Sequence, residues 1–166
     1  MLFMGGALIF VCLGSQQYPF DRLLKELDQL KSSEEIGEDI FAQIGSSHYV
    51  PQSYYWERFI TQEVYEKKLD EASLVISHGG TGAIVKALKK GKKVIAVPRR
   101  AKYGEHADDH QFQIVDFLYE NGYVYKVVEM SELKKAIEEA MGSAPLKAFT
   151  STGHIIDIIE DFINHS

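Results

Sequence analysis

Ser77-His78-Gly79-Gly80-Thr81-Gly82 stands between an apolar run, Leu74-Val75-Ile76, and a stretch of helical composition from Ala83 to Lys90. Strand, glycine turn and helix start, in that order, are the parts of an α/β sheet with its turn at a strand's carboxyl end. The first amides of a helix lack intrahelical acceptors and sit at the positive end of the helix dipole, so this turn suits a phosphate. Its glycines let backbone approach an anion closely and tolerate positive φ. The same residues also make a tight turn that binds nothing. What surrounds them decides between the two.

Ala7 to Leu13 is continuous in Leu, Ile, Phe and Val and reads as a strand buried on both faces. Met1 to Leu13 is also apolar enough to resemble a signal-peptide core, but it lacks a basic start and a convincing cleavage site. Leu23, Leu24, Leu27 and Leu30 fall at helical spacing within Phe20 to Leu30. A strand near Asp39 to Ile44 follows, then a loop rich in aromatic residues (Tyr49, Tyr54, Tyr55, Trp56) and a helix near Glu57 to Glu71. Beyond the glycine turn the pattern predicts a strand at Lys93 to Val97 and a helix around Asp108 to Glu120. A strand at Tyr123 to Val127 and a helix from Ser131 to Met141, capped by Ser131, come next, with a last amphipathic helix at Ile155 to Ile163. Strands separated by helices pair in parallel through right-handed crossovers, which gives a doubly wound, Rossmann-like α/β sheet.

With 166 residues the expectation is one domain over 1–166, with 1–7 a loose extension and 153–166 a C-terminal helix. A net charge of −6 argues against nucleic acid as the main partner, since a phosphate backbone rewards excess Lys and Arg. The single Cys12 excludes an internal disulfide and a cysteine zinc cage, and suits a reducing cytosol. No apolar run is long enough to span a bilayer.

Doubly wound sheets bind ligands at the carboxyl ends of their strands. Three polar loops lie there: Gly14-Ser15-Gln16, His78 to Gly82, and Pro98 to Gln111. In the third, Arg99, Arg100 and Lys102 can neutralise a diphosphate, Arg by bidentate hydrogen bonds, or they form a solvated basic turn. His110 and Gln111 open the next helix, placed to bond sugar hydroxyls or phosphate oxygens. His106 and His110 are four apart, yet Ala107 stands where a zinc-hydrolase motif needs Glu, and no third ligand is evident. No metal site is expected.

Ile9 to Gln16 followed by Pro19-Phe20-Asp21-Arg22-Leu23, His78 to Ile84, Gly91 to Arg99, and Glu105 to Gln111 together resemble the small donor-binding subunits of bacterial polysaccharide glycosyltransferases. These fall in the family 28 C-terminal domain. The eukaryotic subunit that extends dolichol-linked chitobiose is a relative, and the peptidoglycan N-acetylglucosaminyltransferase a more distant one. The resemblance runs from Ile9 to Gly122. It implies a single lobe of a GT-B enzyme that holds a UDP-sugar, with no cofactor and no strict need for metal. Gly79, Gly80, Thr81 and Gly82, with His78 at the turn, would hold the diphosphate. Gly14, Ser15 and Gln16 would close over it, Arg99 would help neutralise it, and His110 with Gln111 would face the donor sugar. Glu105 and His106 match an acidic-His pair at the rim and are fallback candidates for a general base that the family pattern puts on a partner. One departure stands out: Lys86 occupies the place of a Glu that holds ribose hydroxyls in peptidoglycan-type members, and Lys cannot accept those bonds.

The same resemblance implies a membrane-anchored, acceptor-binding subunit that recruits this cytoplasmic lobe to the inner face of the membrane. The acceptor would be a polyprenyl-diphosphate-linked saccharide in capsule or exopolysaccharide synthesis, and the reaction an inverting transfer, with β-1,4-galactosyl transfer as the specific guess. Tyr49 to Phe59 and the C-terminal helix are candidate docking surfaces, with ordinary core packing the alternative for both and the favoured one for the isoleucine face of that helix. An exposed docking patch would also let the isolated chain self-associate. A UDP-sugar epimerase-like fragment and a non-catalytic nucleotide-sugar-binding or scaffolding subunit are the competing readings.

Overall fold

The structure, a computed structural model, describes residues 7–14, 16–106, 109, 111–142 and 159. Six parallel strands form the sheet: β1 (Leu8–Cys12), β2 (Asp39–Gln43), β3 (Tyr55–Glu57), β4 (Leu74–His78), β5 (Lys93–Val97) and β6 (Tyr125–Lys126), in the order β3-β2-β1-β4-β5-β6. The order reverses between β1 and β4, where the chain departs in opposite directions and leaves a crevice beyond the strand ends. Cys12 pairs with Ser77 and His78 with Val97, so β1, β4 and β5 end at nearly one level.

Every residue of β1 and β4 is buried, because helices cover both faces. On one face α1 (Asp21–Ser32) and α5 (Leu133–Gly142) set Leu23, Leu27, Leu133 and Ile137 against Ile9, Val11, Ile76 and Ile95. On the other, α2 (Gln62–Glu71), α3 (Thr81–Lys89) and α4 (Gln111–Glu120) set Leu69, Ile84, Ala87, Ile114 and Val115 against Phe10, Val75, Val94 and Ala96. Alternate strand residues thus serve opposite cores, and each large side chain so buried contributes about 1.5–3 kcal/mol.

Several boundaries differ from the sequence expectation. Tyr55–Glu57, expected in a loop and at a helix start, is the edge strand β3; it is short and its outer residues are exposed, so it carries no buried alternation. α2 starts at Gln62, where the Thr61 side chain accepts from Val64 N at 3.2 Å and caps the first turn. Ser131 does not cap α5. A 3-10 turn at Met130–Glu132 precedes that helix, and Glu129 with Glu132 forms the capping box, Glu129 N donating to Glu132 Oε1 at 3.2 Å. β6 is confined to Tyr125–Lys126, and α4 is described from Gln111. The expected N-terminal extension apart from Ala7, and the C-terminal helix apart from Ile159, lie outside the described residues; Ala7 O accepts from Asp39 N at 3.1 Å, and Ile159 packs in the second core.

Candidate functional site at the strand-order switch

Glycines line the crevice between β1 and β4, and the imidazole of His78 sits among them. A Cβ on Gly14 (φ +74°) would fall 2.9 Å from His78 Nε2, and one on Gly80 would fall 2.8 Å from the same nitrogen and overlap the ring carbon beside it. Gly45 (φ +56°), in the loop after β2, comes close enough that its Cβ would meet Gly14 O at 2.8 Å. A side chain at any of these positions would therefore displace the ring or a neighbouring turn. Gly82 is different: it is exposed, and a Cβ there meets nothing within 4 Å. The outer side of the α3 tip is open, whereas its inner side holds the ring. The first α-helical bond of α3 is Ile84 N to Gly80 O at 3.3 Å, and Gly80 caps with no side-chain bond. Thr81, Gly82 and Ala83 thus carry the orphan amides of the helix start, aimed at the opening.

His78 is 6% exposed. Burial pulls its imidazole down from 6.5 to about 3, with the positive field of Arg99 and the nearby His106 acting in the same direction, so the ring is neutral at pH 7. Gln111 fastens the turn from α4: its Oε1 accepts from Gly79 N at 3.1 Å and from Arg99 N at 3.0 Å, while its Nε2 lies 3.4 Å from His78 Nδ1. Gln111, expected to face a donor sugar, is 8% exposed with its amide engaged by these internal partners.

Arg99, expected to help neutralise a diphosphate, is also buried. Its side chain is 1% exposed and points inward beneath the loops instead of toward an anion. Nη2 donates to Leu13 O at 2.6 Å, and Nη1 to Tyr18 O, Pro19 O and Glu105 O at 2.9, 3.2 and 3.1 Å, with the guanidinium 5.1 Å from the Phe20 ring. Its Nε has no acceptor among the described residues. Arg99 braces the first loop against the third, and any phosphate charge it offsets is felt through that loop. Glu105 is 3% exposed, with Oε2 in an ion pair with Arg22 Nε at 2.7 Å and Oε1 accepting from Arg100 N at 2.9 Å. Both oxygens are thus engaged within the protein. Half-buried His106 lies with its ring 5.5 Å from that of Tyr18. Gln16 is exposed at the crevice mouth, and Ser15 and His110 lie outside the described residues.

Of the other two loop cations, Arg100 is paired with Glu129 at 2.9 Å, and exposed Lys102 lies over the Tyr103 ring at 4.8 Å. Lys86, on the side of α3 that faces α2, binds Glu66 of α2 at 2.6 Å, and Lys90 binds the same carboxylate at 2.9 Å; these two lysines hold Glu66 down at about 2. A cavity of about 500 Å3 opens beyond β5 and β6, lined by Asp21, Arg22, Tyr103, Glu105, Glu129 and Ser131 among others. Among the described residues no group of three or more His, Cys, Asp or Glu is placed to hold a metal ion, and no helix is long and apolar enough to cross a membrane.

Sequence reasoning missed Gly45, Arg22 and the inward role of Gln111. Gly45 was open to the rule that found the other loops, because it also follows a strand at its carboxyl end. Arg22 lies in the Phe20-Asp21-Arg22 run, but nothing local shows that it reaches Glu105, Val128 O at 2.7 Å and Pro98 O at 3.2 Å.

Residues 8–156 match the model of the glycosyltransferase family 28 C-terminal domain. The human UDP-N-acetylglucosamine transferase subunit ALG13 is 30% identical over 159 residues, an alignment covering 87% of this chain and 13% of that protein. The chain therefore spans a small part of that relative's length. Among solved structures, the solution structure of ALG13 superposes with TM-score 0.61 at 21% identity, covering 91% of this chain and 92% of that one. MurG of Acinetobacter baumannii superposes with TM-score 0.55 at 20% identity, covering 91% and 49%. At those identities the likeness is one of fold, that of GT-B glycosyltransferases.

Proposed function

Because this chain belongs to the glycosyltransferase family 28 C-terminal domain family, we propose that it is the donor-binding lobe of an inverting UDP-sugar glycosyltransferase. The observation that carries this reading is the crevice between β1 and β4, where the open amides of the α3 tip and the Nε2 edge of a neutral His78 meet between Gly14 and Gly80. The diphosphate of the donor lies there. An acceptor hydroxyl attacks the anomeric carbon, the bond to the diphosphate oxygen breaks, and UDP leaves carrying the electron pair. Amide dipoles and a fixed N–H donor stabilise the charge growing on the leaving group, and they need no reorganisation as it forms. No metal is required for that task. The hydroxyl proton goes to a base on a second lobe, since Glu105 is occupied within this one.

That second lobe is a membrane-anchored subunit which binds the acceptor, a polyprenyl-diphosphate-linked saccharide, and draws this lobe to the cytoplasmic face of the membrane. Val50, Tyr55 and Phe59, 37%, 48% and 57% exposed beside the sheet edge, are the apolar surface offered to it. Galactose is the proposed sugar and capsule or exopolysaccharide synthesis the proposed setting, both on resemblance alone. Titration calorimetry with UDP tests the donor site. Saturable binding without magnesium that is lost in Gly82→Asp, whose Cβ meets open space in the free protein, supports it; equal affinity in that variant contradicts it. Sugar transfer from labelled UDP-galactose to membrane lipid, seen only on co-expression with the partner, tests the rest.

A further inference from the structure

We propose that Gln111 is a positioning residue that fixes His78 as its Nε2–H tautomer, so that the crevice between Gly14 and Gly80 presents a neutral, directed N–H donor to a bound anion. The proposal rests on the reading of that crevice as an anion site, but the tautomer itself is a property of the free protein.

Gln111 Oε1 accepts from two backbone amides, Gly79 N at 3.1 Å and Arg99 N at 3.0 Å. Backbone N–H groups only donate, so the side-chain oxygen has to face them, and the NH2 group has to point the other way. His78 Nδ1 lies on that other side at 3.4 Å. An amide NH2 offers hydrogens and no lone pair, so Nδ1 can only accept, and a neutral imidazole then carries its hydrogen on Nε2. Nε2 is the nitrogen that a Cβ on Gly14 would approach, at 2.9 Å; a Cβ on Gly80 would sit against the ring carbon between the two nitrogens, 2.8 Å from Nε2 and 2.9 Å from Nδ1, so Gly14 marks the side on which Nε2 lies. Nε2 faces the crevice, and among the described residues no acceptor takes its hydrogen.

The alternatives are each penalised by the same amide. An Nδ1–H tautomer or an imidazolium would set one donor against another inside the protein, and the imidazolium would also add charge beside buried Arg99. Turning the ring over would put carbon against the NH2 group and leave a buried donor unmet. Gln111 thus links three events. It holds the glycine turn through Gly79, holds the third loop through Arg99, and sets which nitrogen of His78 is free to donate. The ligand class that fits is an oxyanion, such as a diphosphate oxygen, whose acceptance of one hydrogen bond does not depend on pH between about 5 and 8.

Two-bond proton–nitrogen NMR correlation spectra of the full-length protein test this directly, because protonated and unprotonated imidazole nitrogens resonate far apart. The His78 signals are assigned by their loss in His78→Gln. Wild-type protein is expected to show Nε2 protonated and Nδ1 unprotonated from pH 5 to 8. In Gln111→Glu a carboxylate oxygen faces Nδ1 and is expected to draw a proton there, shifting the pattern to Nδ1–H or imidazolium. Gln111→Met, which keeps volume but removes the amide, is expected to give a mixture of tautomers. A wild-type ring protonated at Nδ1, or an unchanged His78 pattern in whichever of the two variants keeps a native-like amide spectrum, would overturn the proposal. UDP titration separates the two levels. If the tautomer responds as stated while UDP leaves the crevice signals unmoved, the positioning role stands and the anion-site reading falls.

Discussion

Arg99 Nη2 donates to Leu13 O at 2.6 Å and so fixes the point where the chain leaves β1. With Nη1 bound to Tyr18 O and Pro19 O, one buried cation holds both ends of the loop that carries Gly14 and Gln16. Replacing it should cost stability before any ligand is added. Arg99→Met is expected to destabilise the free protein by about 3 kcal/mol, because several buried carbonyls lose their donors together. Arg99→Lys should rescue little, since an ammonium lacks the planar fork. Thermal denaturation without UDP checks this: a normal melting temperature with only weakened UDP binding would mean that Arg99 meets the ligand directly.

Glu105 is a brace in the same sense. Removing it leaves half-buried Arg22 without its ion-pair partner and Arg100 N without an acceptor. Glu105→Ala is expected to destabilise the protein by about 2 kcal/mol, less than for a fully buried pair because the guanidinium of Arg22 keeps its bonds to Val128 O and Pro98 O and partial access to water. Chemical denaturation gives the stability, and transfer assays with the partner subunit give the activity. Full stability with abolished transfer would restore Glu105 as a catalytic base.

His78 makes stability depend on pH in a definite direction. Its imidazole sits well below the ordinary 6.5 when folded, so between about 3 and 6.5 the unfolded chain binds a proton that the folded chain does not. Stability therefore rises with pH through that window and falls as acid is added. Between pH 7 and pH 5 this one group should remove about 2 kcal/mol. Denaturation at both pH values, in wild type and in His78→Gln, should show that the variant loses less stability on acidification. Equal losses would contradict a neutral buried ring.

Asp28 ties the loop after β2 to α1. It accepts from Tyr49 OH at 2.5 Å, Gln52 N at 3.0 Å and Ser53 N at 2.8 Å. Burial alone would raise its carboxyl, but these bonds outweigh it and the net direction is downward. Its contribution is present above about pH 4 and is lost as pH falls further. Asp28→Ala should cost about 2 kcal/mol and speed amide exchange at Gln52 and Ser53. Unchanged exchange there would show that the loop is held by other contacts.

Legibility in the sequence followed burial. β1, β4 and β5 are apolar runs covered on both faces, and they stood where expected, as did α1 with its leucine spacing. β3 escaped because an edge strand of this length has one neighbour and mostly exposed side chains. The strand-end rule located the loops of the site, since topology fixes which ends of a parallel sheet carry them. It did not reveal which side chains point inward. Arg99 read as a phosphate ligand because a basic residue in a polar loop is usually solvated, and its acceptors, such as Leu13 O 86 positions away, are invisible along the chain. Gln111 stands at the expected turn, and its bonds to Gly79 N and Arg99 N are equally invisible along the chain.

The glycines of the turn separate packing from ligand approach. Gly80→Ala would put a methyl group into the His78 ring, so it should disturb the free protein as well as binding. Gly82→Ala meets open space at a helical position, so the free protein should keep its stability or gain up to about 0.5 kcal/mol. The added methyl should still weaken UDP binding several-fold by crowding the phosphate. Melting curves and calorimetry on the two variants check the contrast, and a Gly82→Ala protein that binds UDP normally would move the diphosphate away from the tip of α3.

An amide NMR titration of the full-length protein with UDP, compared with uridine, addresses the crevice most directly. The expected result is saturable movement of the Gly14, Thr81, Gly82 and Ala83 amides with UDP, and far weaker movement with uridine, because the diphosphate supplies the contact. Saturable movement confined to other residues, or equal response to both compounds, would contradict diphosphate capture at the start of α3.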